Sequence, residues 1–239
     1  MLEVKNLHKS YEDKQVLSNI NIYLQQKEIV GILGPNGSGK TTLFKCILGL
    51  EKVDKGEIKL DNYILNSLPI YKRARLGLSY LPQEITVFQD LTAYENIFSI
   101  LEYYHPYPEK ETEKLLYEFQ LENVKNIKAK YLSGGQKRRL EIARALSISP
   151  KYILLDEPFA GVDPIAIVDI KKIIEKLKRK GLGVLITDHN VLEMLNFTDR
   201  NYILFEGKIL ASGKKEEILK NSKVKEIYLG HLADIAKKI

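Results

Sequence analysis

Long hydrophobic runs are missing: charged residues make up 28% of the chain and recur throughout, so no stretch approaches the ~20 apolar residues that a membrane-spanning helix needs. Nothing here is expected to cross a bilayer. Cysteine is nearly absent too. The single Cys46 excludes an intrachain disulfide, fits a reducing compartment and is expected to fill core. The opening Met1-Leu2-Glu3-Val4-Lys5 lacks the pattern of a signal peptide, so the expected location is cytoplasmic. With no internal repeat, low-complexity tract or long linker, the 239 residues read as one domain, 1–239, that carries an inserted part.

What is present is an ordinary globular composition, 44% hydrophobic, with a formal charge of +6. That charge fits nucleic acid, an anionic membrane surface or a small anionic ligand, and cannot choose among them. The basic clusters Lys171-Lys172, Lys176 to Lys180 and Lys237-Lys238 are mixed with apolar residues at helical spacing, which reads as solvated helix faces.

Strand-like runs appear at Leu2 to Leu7, Ile20 to Leu24 and Glu28 to Leu33. The last enters a glycine-rich turn, after which Lys40 to Leu50 has helical spacing closed by Gly49. Strands at Tyr152 to Leu155, Gly183 to Thr187 and Tyr202 to Phe205, with a helix at Pro164 to Lys180, repeat the α/β theme. Residues 1–83 and 151–213 therefore read as an α/β core. Between them, 84–150 has helical patterns at Ala93 to Tyr103, Glu109 to Phe119 and Gly135 to Ser147, as of an inserted helical subdomain. Residues 214–239 carry Ile218, Leu219, Val224, Ile227, Leu232 and Ile235 among lysines, which predicts short amphipathic C-terminal helices.

The strongest local signal is Gly34-Pro35-Asn36-Gly37-Ser38-Gly39-Lys40-Thr41, a G-x-x-x-x-G-K-[ST] string between a predicted strand and helix. In that setting glycines let backbone N–H groups turn inward around phosphate oxygens, the helix presents its positive end, Lys40 neutralises β/γ charge and Thr41 offers a hydroxyl to Mg²⁺. Downstream, the apolar run Tyr152 to Leu155 ends in Asp156-Glu157, which places two carboxylates at a strand end. Alone, that pair reads as polar termination of a strand. Beside a phosphate loop, Asp156 becomes a holder of the magnesium and Glu157 the group that polarises the attacking water.

Leu132-Ser133-Gly134-Gly135-Gln136, shortly before that strand, completes a resemblance to the ATP-binding cassette ATPases, whose signature motif it matches. Ser133 also reads as a simple helix N-cap, since capping and anion binding use the same free N–H groups. The resemblance implies a phosphate-loop ATPase core with an antiparallel β subdomain and an inserted helical subdomain. It implies ATP and Mg²⁺, and a homodimer in which each signature grips the nucleotide of the other subunit. Further positions fall in family order: Tyr11 as the aromatic that stacks on adenine, with Val16 beside the nucleotide and Thr42 continuing the phosphate loop, Gln83 as the Q-loop residue, Asp163 in the D-loop and His189 as the switch histidine. The metal ligands would be Thr41, Gln83 and Asp156; the catalytic residues Glu157, His189 and Gln83.

Ile85, Val87 and Phe88 follow Gln83 directly. They either pack inside the helical subdomain or line the groove that, in the family, receives a short helix from an integral membrane permease. Closer likeness lies in Ser67-Leu68-Pro69, Arg73-Ala74-Arg75, Tyr80 to Glu84, Asp156 to Ile165, Thr187 to Val191 and Tyr228-Leu229-Gly230, which resemble the ATPases of lipopolysaccharide export. Gln89 departs from them, standing where that subfamily often has a basic residue. The resemblance implies a peripheral protein of the inner membrane that never touches the transported molecule. Import of branched-chain amino acids remains the nearest alternative. An ATPase acting on ribosomes or DNA is disfavoured by the single cassette, the missing heptad arm and the single cysteine, so no nucleic-acid partner is expected.

Overall fold

The computed structural model describes residues 1–229. Two sheets form its frame. Strands β1 (Leu2–Tyr11), β2 (Lys14–Leu24), β4 (Lys55–Leu60) and β5 (Tyr63–Ile64) make an antiparallel sheet in the order β2-β1-β4-β5. A second sheet has the order β10-β9-β3-β8-β7-β6, from β3 (Ile29–Leu33), β6 (Leu78–Leu81), β7 (Tyr152–Asp156), β8 (Gly183–Asp188), β9 (Arg200–Phe205) and β10 (Lys208–Gly213). All its pairings are parallel except β9 with β10.

The strands at the centre of that second sheet are apolar on both faces, and the pleat sorts their residues between two cores. Ile29, Leu33, Ile153, Leu155, Val184, Ile186 and Ile203 join the core shared with the helices. Their alternates Val30, Ile32, Tyr152, Leu154, Leu185, Tyr202 and Leu204 join the core under the antiparallel sheet and α1 (Lys40–Leu48). Cys46 is fully buried there.

The further α-helices are α2 (Ile70–Arg75), α3 (Ala93–Tyr104), α4 (Pro108–Glu118), α5 (Gly134–Leu146), α6 (Pro164–Arg179), α7 (Val191–Leu195), α8 (Lys215–Lys220) and the single turn α9 (Ser222–Val224). Thr92 opens α3 with a capping box to Glu95, and Asp163 caps α6. The helical segments expected within 84–150 become α3, α4 and α5. Lysines of α6 pair with acids on other segments, Lys171 with Glu193 and Lys178 with Asp199, consistent with a solvated face. The sequence pattern does not predict strands β4, β5, β6 and β10 or helices α2 and α7: the strands are short or rich in charged and polar residues and are defined by their pairing partners, and the two helices are only 6 and 5 residues long. In the tail, Ile218 and Val224 are buried; Gly230, Leu232, Ile235, Lys237 and Lys238 lie outside the described residues.

Register fixes the site. Leu33 pairs with Asp188, and Asp156 with Thr187, so the carboxyl ends of β3, β7 and β8 lie side by side at one edge of the sheet.

Candidate functional site

The phosphate loop occupies the turn from β3 into α1. Gly39 sits at φ 108°, where a side chain would be strained, and Gly34 packs so tightly that a Cβ would lie 2.2 Å from the Leu204 carbonyl oxygen. Lys40 is 5% exposed, and its ammonium donates to the carbonyls of Gly34 at 2.9 Å and Pro35 at 3.0 Å. Burial pushes its pKa down, against the opposing pull of Glu157, Asp156 and Asp188. An ammonium has three donors, so one remains for a ligand. Among the described residues, the buried Ser38 Oγ has no hydrogen-bond partner. An unsatisfied buried hydroxyl costs about 1–3 kcal/mol, a deficit that an anionic oxygen in the loop would remove.

Beside the loop opens a cleft of about 480 Å³. It is lined by Asn36, Gly37, Gly39, Lys40, Thr41 and Thr42 of the loop and the start of α1, by Tyr11 and Val16, and by Gln83 and Glu157. Residues expected to bind base, phosphates and water thus converge from four parts of the chain.

The two adjacent acids have different surroundings. Asp156 is 1% exposed; its Oδ1 accepts a hydrogen bond from Thr187 Oγ1 at 2.6 Å. The same Thr187 oxygen accepts the Glu157 backbone N–H at 3.0 Å, so one hydroxyl on β8 pins both acids. Tyr80 OH lies 3.4 Å from Asp156 Oδ2, and burial with this carboxylate raises the Tyr80 pKa. Glu157 has φ 43°, a left-handed conformation that ordinarily costs a non-glycine residue about 1–3 kcal/mol and is held only where neighbours impose it. Its carboxylate accepts Gln83 Nε2 at 3.0 Å and lies 3.8 Å from His189 Nδ1. Gln83, Glu157 and His189 therefore meet.

Two of the residues that fix this geometry had no role assigned from sequence. The sequence pattern predicts only a strand end at Thr187 and no role for Arg138. Arg138 is 4% exposed and donates to the carbonyls of Pro158 (3.0 Å), Pro82 (2.9 Å), Asp156 (3.4 Å) and Glu157 (3.4 Å), while pairing with Glu141 at 3.0 Å. It fastens α5 to the ends of β6 and β7. A signal existed: Arg138 and Glu141 lie at i, i+3 in register with buried Gly135 and Ile142, where a helix would ordinarily place apolar groups.

The signature segment lies elsewhere. Leu132 is buried; Ser133 caps α5 in a capping box with Gln136. Gly134 starts the helix, and Gly135 leaves room for Ala166, whose Cβ would stand 2.9 Å from an added one. Ser133, Gly135 and Gln136 line a second hollow of about 190 Å³ with Asp163, and share no lining residue with the phosphate-loop cleft. Of the residues assigned to a partner groove, Ile85 and Phe88 are exposed at 50% and 47%, whereas Val87, at 6%, packs into the helical core and presents nothing outward. Arg144 stacks its guanidinium 4.4 Å over the Phe88 ring and donates to the Thr86 carbonyl at 2.7 Å.

Comparison with known proteins extends this geometry. A family model described as ABC transporter matches residues 17–160. The lipopolysaccharide export system ATP-binding protein LptB of Haemophilus influenzae is 48% identical over 234 residues, covering 96% of this chain and 97% of that protein. A solved ATP-binding cassette of an ABC transporter in its ADP conformation superposes with a TM-score of 0.84 at 33% identity, covering 96% of this chain and 98% of that one. A dimeric bacterial ABC transporter cassette gives 0.80 at 30%, covering 90% and 99%. A cleft built on the phosphate loop, a separate signature hollow and likeness over nearly the whole length agree: this chain belongs to the ATP-binding cassettes of ABC transporters, and its activity is ATP hydrolysis.

Proposed function

We propose that two copies of this chain close head to tail around two ATP molecules at the cytoplasmic face of an inner membrane, and that their closing and opening drives permease subunits exporting lipopolysaccharide to the outer membrane. The observation that carries the transport assignment is the near end-to-end match to the Haemophilus influenzae export ATPase. The paired arrangement is supported by the placement of phosphate loop and signature in two hollows that share no lining residue. A relative in this fold is dimeric. The transported molecule would never touch this chain, so its selection belongs to the permeases.

Each residue then has a task. Lys40 directs its free donor at the β/γ-phosphates, while loop N–H groups and Ser38 Oγ meet phosphate oxygens. Tyr11 stacks on the base, with Val16 beside it. Thr41, Asp156 and Gln83 offer oxygen donors of the hard type that suits Mg²⁺, and Asp156 is pre-oriented for this by Thr187. Bound there, the ion would neutralise charge developing on the phosphates. Glu157 orients the attacking water and accepts its proton as oxygen bonds to the γ-phosphorus; the bond to the β–γ bridging oxygen breaks and ADP leaves. His189 donates to the transferring phosphoryl group as its charge builds. Leu132 to Gln136 bring Ser133 and the α5 N-terminus to the partner's γ-phosphate, with Asp163 alongside. Ile85 and Phe88 receive the permease.

The test is a tagged purification from native membranes in mild detergent, with mass spectrometry of what accompanies the ATPase. Two permeases bearing large periplasmic domains are expected. Amino acid permeases would replace export with import, and ribosomal or DNA partners would overturn the transport reading.

A further inference from the structure

The end of β1 holds an arrangement that phosphate chemistry does not require. Lys9 is only 8% exposed, and its ammonium lies 4.7 Å from the centroid of the Tyr11 ring. Glu51, just beyond the C-terminus of α1, pairs with that ammonium at 3.2 Å. The backbone is clamped at the same place: Ser10 N–H donates to Asp54 Oδ2 at 2.6 Å, and Asp54 N–H to the His8 carbonyl at 3.0 Å. Lysine is rarely buried so far without a reason, because desolvating its charge is costly. Tyr11 is 39% exposed and lines the nucleotide cleft, whereas Lys9 does not.

We infer that Lys9 is a positioning residue for the nucleotide base: its ammonium occupies one face of Tyr11 and so fixes and polarises the ring whose other face stacks on the purine. Two physical effects act together. A cation over one face draws on the ring's negative quadrupole, so the opposite face repels an electron-rich purine less. The Lys9–Glu51 pair also holds the ring in place before the ligand arrives, so less side-chain ordering accompanies binding. Lys9 would therefore set base preference without touching the phosphates. The inference rests on Tyr11 being the base-stacking residue.

The experiment measures binding of ATP, CTP and inorganic tripolyphosphate to the parent, Lys9→Met, Lys9→Arg, Tyr11→Leu and the Lys9→Met/Tyr11→Leu double variant, with Lys9→Gln replacing Lys9→Met should that variant not fold. Lys9→Met is expected to weaken ATP about two- to tenfold, the range of one cation–π contact. It should weaken CTP less and leave tripolyphosphate unchanged; Lys9→Arg should restore ATP affinity, and Lys9→Met should add nothing once Tyr11 is gone. Equal weakening of tripolyphosphate would show a structural effect on the phosphate loop and overturn the inference, as would a persisting effect in the Tyr11→Leu background. Parent-like ATP binding by Lys9→Met alongside weakened binding by Tyr11→Leu would refute the role of Lys9 alone. Parent-like binding by Tyr11→Leu would remove the base-stacking assignment itself, and the inference with it.

Discussion

Thr187 is fully buried and serves Asp156 and Glu157 at once, so removing its hydroxyl strands a carboxylate oxygen and an amide together. Thr187→Val keeps the shape and should cost about 1–3 kcal/mol of stability, read as a lower urea midpoint. It should also lower kcat well beyond any change in ATP affinity, since the acids, not the phosphate loop, lose their support; unchanged turnover would deny Thr187 this role. Cys46 offers a second test. It is fully buried, and its thiol pKa is pushed up to about 11 by burial. Because the folded value is raised, the neutral thiol persists through pH 8, and iodoacetamide should leave the native protein unlabelled while alkylating it in urea. At this scale the sequence was legible wherever function is local. Gly34 to Thr41 fold onto themselves, and Asp156-Glu157 end an apolar strand. Thr187 acts through partners far along the chain, and neither its type nor its neighbours announce that; Arg138 shows in the sequence only as a charge paired with Glu141 at helix positions that ordinarily carry apolar groups.

Between Gln83 and α3, the element that matters is a loop held from several sides. Glu141 accepts Thr86 N–H at 2.5 Å, and Asn96, fully buried, accepts Phe88 N–H at 2.8 Å and donates to its carbonyl at 3.0 Å. This clamping turns Phe88 and Ile85 outward and Val87 inward. Phe88→Ala should therefore leave basal ATPase activity near parent level while lowering the yield of the permease complex in detergent; an unchanged yield would exclude Phe88 from the docking face. The three helices of 84–150 were readable because their apolar residues recur at helical spacing. The facing of Ile85, Val87 and Phe88 was not, because a loop has no period. β4 (Lys55–Leu60) escapes for another reason, since its alternation rests on only two apolar residues, Ile58 and Leu60, and β5 has only two residues in all.

Across the whole molecule, α5 joins the signature to the sheet edge that carries the proposed catalytic acids: its N-terminus carries Ser133, and Arg138, little more than a turn later, grips the carbonyls of Asp156 and Glu157. A partner's γ-phosphate at Ser133 would thus bear on a helix fastened to the site of hydrolysis in its own chain. Ser133→Arg should accordingly abolish hydrolysis while nucleotide binding persists, because the bulky cation blocks the partner's site and not its own; normal activity would rule out the paired mechanism. The most direct measurement is light scattering of the Glu157→Gln variant on a sizing column, with and without MgATP. Without nucleotide the variant should run at the 27.4 kDa monomer mass, and with MgATP at a doubled mass carrying two unhydrolysed ATP molecules. A variant that hydrolyses ATP like the parent would rule out Glu157 as the base, and one that binds ATP fully yet stays at monomer mass would rule out the paired mechanism.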